Sequence, residues 1–347
     1  MNLNELPMII FTVFAQMSVG AFVALGIIHV FGVPRWGRDT IERITDPAIY
    51  AIGPTLVFGL IASMFHMNDI TNTLNVLRHW DSSWLSREII FGVAFAGLGF
   101  LFAVMQWFKL GSRNLRQVVA ALAAIVGLAL VYAMSMIYAS IVTIPAWNTW
   151  AVPFQFFATT FLLGGLAVGA AILIHMSLRF RTNGNGGTSA PASPAPEAET
   201  EGSRGGVATL VRQTRTQAKK MASEPLSPSS ADAQAGVAII RWVSIASVVI
   251  GVAIFIGYIF HIVNLATGVP EQQLAAEEYQ TAFFLFRLAV LGIAAVLLAV
   301  FTFKTANQEF KNPQTLTVLM MTALVLAVIS EFMGRYIHYE TLIRVGM

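Results

Sequence analysis

Apolar positions along the chain gather into long unbroken runs, not into the alternating or 3.6-residue stripes of a soluble domain. Crossing roughly 30 Å of hydrocarbon takes about 20 apolar residues as a helix. Runs of that length are read from Pro7 to Val33, Pro47 to Met67, Glu88 to Phe108, Leu115 to Ile141, Ala151 to Met176, Ile239 to Asn264, Thr281 to Phe303 and Leu316 to Tyr339. A buried helix in a large soluble domain accounts for one such run, not for eight. The pattern predicts an all-α integral membrane protein, a bundle of eight transmembrane helices.

One segment breaks the pattern. Residues 181–235 are rich in Gly, Ser, Pro, Ala, Thr and Glu, a composition that cannot bury enough apolar surface to fold. They read as a disordered linker that divides the chain into five helices over 1–180 and three over 236–347. Inside the linker Val207, Leu210, Val211, Ala218 and Met221 fall near helical spacing among Arg212, Arg215, Lys219 and Lys220. That spacing suits a short helix on an anionic lipid surface, with plain disorder as the alternative. No internal repeat stands out, which weakens an inverted-repeat transporter reading.

Composition agrees with a membrane solvent, since 56% of residues are hydrophobic, 11% are charged and mean hydropathy is +0.70, against roughly a quarter charged in soluble domains. Met1 to Leu6 carries no basic residue, so the first span is expected to remain in the mature protein and not to be cleaved as a signal. The seven tryptophans (Trp36, Trp80, Trp84, Trp107, Trp147, Trp150 and Trp242) lie at or near span ends, where amphipathic rings suit the headgroup level. The absence of cysteine excludes disulfides and thiolate-held haem or iron–sulfur clusters within this chain, so any cluster belongs to a partner.

Orientation follows from the basic residues. If the spans alternate, sixteen of the 21 Lys and Arg residues fall on the side of the linker, leaving Arg78, Arg87, Arg287, Arg335 and Arg344 on the other. The positive-inside rule makes the linker cytoplasmic and both termini periplasmic, in the inner membrane of a bacterium. The net charge of +3 reflects this topology and gives no reason to propose nucleic-acid binding.

Ionisable groups within hydrocarbon are costly and invite a functional question. Here they gather toward the outer ends of their spans. His66 ends the second span, Glu88 opens the third, His261 and Asn264 close the sixth, Arg287 lies a turn or two into the seventh, and Glu331, Arg335 and His338 occupy the outer half of the eighth. Duller readings stand beside each one. Glu331 and Arg335 at i and i+4 suit a structural ion pair. His338 and His79 suit interfacial or loop positions, and His261 a hydrogen-bonded packing role. Glu88 stands in a first turn, where the helix dipole favours a carboxylate and Ser83 or Ser86 offers a cap. His29 and His175 lie at the inner ends of their spans and could face each other as a haem ligand pair, though satisfied interfacial histidines account for them as well.

Three stretches carry a family resemblance. They are Pro7-Met8-Ile9-Ile10-Phe11-Thr12-Val13-Phe14-Ala15-Gln16, the run from His66 through Leu74-Asn75-Val76-Leu77 to Ser83-Trp84-Leu85-Ser86-Arg87-Glu88-Ile89, and Glu331-Phe332-Met333-Gly334-Arg335-Tyr336. Together they resemble the membrane anchor subunit of dimethyl sulfoxide reductase, the DmsC family, with the middle stretch the most distinctive. The sequence departs from the family at Met67-Asn68-Asp69-Ile70, where Leu-Gly and a nearby Pro are usual, and in its long linker.

The resemblance implies an anchor that binds and oxidises menaquinol, releasing menaquinone, near the periplasmic face. It also implies two partners docked there: a ferredoxin-like subunit with four [4Fe–4S] clusters and a molybdopterin catalytic subunit serving anaerobic respiration. By motif position His66 and Glu88 correspond to the quinol-site residues, with Arg87, Arg287, Glu331 and Arg335 as further candidates for the pocket. No haem and no cluster is expected in this chain. The rival readings are a haem-containing or polysulfide-reductase-type quinone anchor, and a secondary transporter whose substrate path is lined by Arg287, Glu331 and Arg335.

Overall fold

A computed structural model describes residues 6–49, 79–184, 231–305 and 313–345. The helices, in chain order, are α1 (Leu6–Trp36), α2 (38–49), α3 (Trp84–Trp107), α4 (Arg113–Ala139), α5 (Ala151–Gly184), α6 (Ala231–Ala266), α7 (Pro270–Glu277), α8 (Ala282–Lys304) and α9 (Pro313–Glu340). A 3₁₀ turn, Glu278–Gln280, joins α7 to α8. Seven of these helices are long and apolar enough to cross a membrane. The span expected over Pro47 to Met67 lies almost wholly outside the described residues, as does His66.

The helix ends follow local chemistry. Ser83 caps α3 by accepting from the amide of Ser86, Ser112 caps α4 through Leu115, and Thr281 caps α8 through Phe284, each satisfying an amide that the first turn leaves unpaired. Gly37, at φ +83°, ends α1 in the left-handed region that glycine tolerates. The backbone then re-enters a helix over 38–49, a stretch too polar for the hydropathy pattern to predict. Its Ile41, Ile44, Thr45 and Ala48 form one buried stripe at helical spacing.

Two corrections concern the linker and the tryptophans. The flanking helices run into the segment expected to be disordered: α5 continues to Gly184, and α6 begins at Ala231, with Asp232, Ala233 and Ala235 buried. The stretch 207–221 lies outside the described residues. Trp147, expected at headgroup level, is only 4% exposed and fills the interior of one end.

Helices α1 and α5 cross in direct backbone contact. A Cβ on Gly20 would overlap the carbonyl of Thr160, and one on Gly164 would overlap the backbone of Gly20 and Ala21. In a bilayer, where lipid is as apolar as leucine, such small-residue crossings give the van der Waals contact that holds helices together. Around this crossing pack Val19, Phe22, Phe95 and Leu130, with Phe22 set edge-on against both Phe95 and Phe102.

Polar contacts define the two ends of the bundle. At one end Asp46 accepts from Gln106 Nε2 at 2.6 Å and from Lys109 at 2.9 Å, Arg43 pairs with Asp232 at 2.8 Å, and Arg113 pairs with Asp39 at 3.1 Å. At the other end the Tyr138 hydroxyl meets that of Tyr339 at 2.9 Å and donates to the sulfur of Met8 at 3.8 Å. Because Asp46 bonds the last turn of α3, it lies most of a helix length from Glu88 in the second turn. The described residues on either side of 50–78 therefore stand at opposite ends of the bundle.

Candidate functional site

Glu88 projects from the second turn of α3, five residues beyond the Ser83 cap, and is partly buried. The helix that carries it packs along α4, which carries Tyr138, and Trp84 of α3 is set edge-on to Tyr132 of α4 at 5.6 Å. The Tyr138–Tyr339 pair has Met8 of α1 beside it, whose sulfur accepts from Tyr138, and Thr12 one turn along donates to the Met8 carbonyl at 2.7 Å.

The three interior charges expected on the last two spans do come together, but not as the i, i+4 pairing predicts. Glu331 forms its ion pair with Arg287 of α8 at 3.5 Å and accepts a 2.6 Å hydrogen bond from Thr159 of α5. Arg335 instead donates to Gln16 of α1 at 3.2 Å and lies over the ring of Phe156 at 3.7 Å. Arg287 also donates through Nε to the carbonyl of Ser330 at 2.9 Å and lies over Tyr258 at 4.5 Å. Room for its guanidinium comes from Gly334, where any Cβ would collide with it. A charge this deep persists only when paired and hydrogen-bonded, and these contacts supply that.

Arg87 does not join the cluster. It turns back to the carbonyls of Trp80 and Asp81 and lies over Trp84 at 4.2 Å, so it ties down the turn before α3.

His338, expected at an interface, is 4% exposed. Its ring is stacked on Trp147 at 5.1 Å and meets Tyr138 edge-on at 5.0 Å, which seals it from the surface. His261 accepts or donates at 3.3 Å with the Tyr279 hydroxyl, the packing role expected of it. Burial pushes the Tyr279 phenol well above its ordinary range, so the hydroxyl stays protonated. At the opposite end His29 is bonded to Thr45 at 3.0 Å.

Sequence reasoning missed Gln16, Thr159, Tyr138, Trp147 and Tyr279. A signal existed for the first three, since each is a polar group inside an apolar run, where hydrogen-bonding needs must be met by other helices. Trp147 and Tyr279 lie in connections, and only the packed bundle brings them inward.

A cavity of about 520 Å³ opens at the same end, lined mainly by apolar side chains of α1, α8 and α9, with Glu278, Thr281, Tyr336 and Glu340 adding polar groups. None of Arg87, Glu88, Arg287, Glu331 and Arg335 lines it.

The architecture is that of a multi-pass helical membrane protein with buried polar groups at both ends, Asp46, Gln106 and Asp232 at one and Arg287, Glu331, Arg335 and His338 toward the other. The sequence profile described as DMSO reductase anchor subunit (DmsC) matches residues 1–184, just over half of the sequence, and the protein belongs to this family. It is 32% identical over 176 residues to a component of the anaerobic dimethyl sulfoxide reductase of Haemophilus influenzae, with 50% of this sequence and 60% of that relative covered. To the component of the same name in Escherichia coli it is 31% identical over 173 residues, 49% and 58% of the two sequences. A shorter likeness, 34% over 116 residues, joins it to a component of the sulfite dehydrogenase of Allochromatium vinosum, with 29% of this sequence and 35% of that one covered. The matches to the two reductase components thus span about three-fifths of those relatives' length.

Proposed function

We propose that this protein is the quinol-oxidising anchor of a molybdopterin oxidoreductase complex in the bacterial inner membrane. It binds menaquinol near the periplasmic face and passes electrons to an extrinsic ferredoxin-like subunit with four [4Fe–4S] clusters. The observation that carries the reading is the placement of Glu88. In a member of the anchor family, the carboxylate stands partly buried near one end of the bundle, on a helix packed along the one that carries Tyr138.

Oxidising a quinol removes two electrons and two protons, and the ring hydroxyls need acceptors within hydrogen-bond reach. Glu88 serves as one acceptor. His66, which precedes it in the same motif and lies outside the described residues, serves as the other, because an imidazole titrates near neutral pH. The tyrosine pair closes the inner side of the site, and Arg335 behind it supplies positive potential. Arg287 and Glu331, bound to each other, hold α8 and α9 together behind the site, with Thr159 adding α5. The charge distribution supports the outward placement, since Arg43, Lys109, Arg113 and Arg116 cluster at the far end.

The likeness to a sulfite dehydrogenase component favours a second direction of flow through the same site, in which electrons arrive from the partner and quinone is reduced.

The test is isolation in mild detergent. The protein is expected to co-purify with an iron–sulfur partner and to oxidise menadiol, a reduced naphthoquinone, with reduction of the partner's clusters. Isolation with no iron-containing partner, or no reaction with menadiol in either direction, would overturn the reading.

A further inference from the structure

Quinol oxidation at Glu88 leaves two protons to be carried out of a largely apolar pocket, and a ladder of buried polar groups leads away from it. Its first rung is the Tyr138–Tyr339 hydroxyl pair, 2.9 Å apart, with Tyr138 on the helix that packs along the one carrying Glu88. The next is His338, adjacent to Tyr339 in sequence and set edge-on to Tyr138. Trp147 Nε1 fixes this residue's backbone by donating to its carbonyl at 2.8 Å and to Thr341 Oγ1 at 3.2 Å. The turn that carries Tyr279 packs against α9, and the Tyr279 hydroxyl is hydrogen-bonded to His261 of α6 at 3.3 Å. Tyr279 in turn lies beside Glu278, which lines the open 520 Å³ cavity.

Two atoms on this ladder point to something further. His338 Nε2 and His261 Nδ1 are buried with no hydrogen-bond partner among the described residues, on residues 4% and 3% exposed. Imidazole nitrogens that deep are normally satisfied, and water is the usual partner where protein supplies none. The groups facing His338 are Arg335 on its own helix, His261 on α6 and Tyr138 on α4.

We propose that Tyr138, Tyr339, His338, His261 and Tyr279, joined by water at the two unpartnered ring nitrogens, form a proton relay from the Glu88 site to the cavity at Glu278. The proposal rests on the quinol reading above. Each turnover breaks two quinol O–H bonds and forms the quinone; the two electrons leave to the iron–sulfur carrier, and the two protons travel the relay. Every hydroxyl or imidazole accepts a proton on one side and releases one on the other, so no rung is consumed. Tyr279 suits the exit because its hydroxyl stays protonated and can donate as it accepts. Four of the five rungs lie on α6, α9 and the turn before α8, which gives the second helical block a part in the chemistry.

The test uses the full-length protein assembled with its partner subunits in membrane vesicles, with menadiol as donor and a reduced viologen dye feeding the partners directly. Tyr279→Phe removes one hydroxyl, and His261→Ala opens space for added imidazole. Both are expected to slow menadiol-driven turnover by at least about tenfold, below the usual contribution of a positioned proton carrier. Menadiol binding and dye-driven turnover stay unchanged, and imidazole restores His261→Ala. Unchanged menadiol turnover in Tyr279→Phe, or loss of menadiol binding in parallel with turnover, would overturn the relay. If His261→Ala does not assemble, the isosteric Tyr279→Phe decides alone. The quinol reading fails separately, through a wild-type protein that does not react with menadiol.

Discussion

Glu331 forms its ion pair with Arg287, 3.5 Å away on the neighbouring helix, and not with Arg335 one turn along its own. The choice couples helices and does not merely stiffen one, and with Thr159 it locks α5, α8 and α9 together. Removing one partner of a buried pair leaves the other charge unpaired, at a cost of about 3–5 kcal/mol, whereas replacing both by apolar groups is far milder. Glu331→Ala is therefore expected to lose that much stability in mixed-micelle unfolding, and Arg287→Met combined with Glu331→Leu is expected to recover most of it. Equal losses in the single and double variants would show that the pair contributes nothing by pairing.

The crossing of α1 and α5 predicts a sharp difference between two glycines of the same helix. Gly20→Val forces the helices apart at a point where backbone, not a flexible side chain, stands in the way, and is expected to cost about 1–3 kcal/mol or more. Gly26→Val, where an added Cβ meets nothing within 4 Å, is expected to be close to neutral. Thermal stability of the detergent-extracted protein compares the two.

Because contacts between the blocks run through α1, α5, α6 and α9, the connection over 185–230 is not needed to hold them. Arg179 and Asp232, on either side of it, lie 4.0 Å apart, and Asp232 also holds Arg43. Two fragments divided within that segment are expected to co-purify when co-expressed, by the packing that joins independently inserted helices. Recovery of either fragment alone would contradict this.

A sequence without cysteine suits single-site labelling. Ser82→Cys, at an exposed position before α3, is expected to react with a membrane-impermeant maleimide added to the periplasmic side. Asn114→Cys, exposed in the first turn of α4, is expected to react only after the membrane is opened. The reverse pattern would turn the bundle over and place Glu88 on the cytoplasmic side.

How much of this was legible from sequence depends on the range of the interaction. Span positions and the Ser83 cap were readable because length, hydropathy and capping are local properties. The amphipathic α2 escaped because half its surface is polar, and the linker ends were misjudged because Ala231–Ala235 resembles a flexible composition while packing as helix. The partners of Glu331, Arg335 and His338 escaped for a different reason. Periodicity names neighbours on one helix, but the crossings decide which helix supplies Gln16, Thr159 or Trp147.

The most direct measurement compares two routes of electron entry in Glu88→Gln. The substitution keeps the shape of the side chain and removes its capacity to take up a quinol proton, while Tyr138, Tyr339 and Arg335 remain. In membranes where blotting shows normal assembly, menadiol-driven turnover is expected to fall by about 100-fold, as for a lost general base. Turnover driven by a dye that feeds the partner subunits is expected to stay at the wild-type level. Full menadiol-driven turnover in Glu88→Gln would contradict the account.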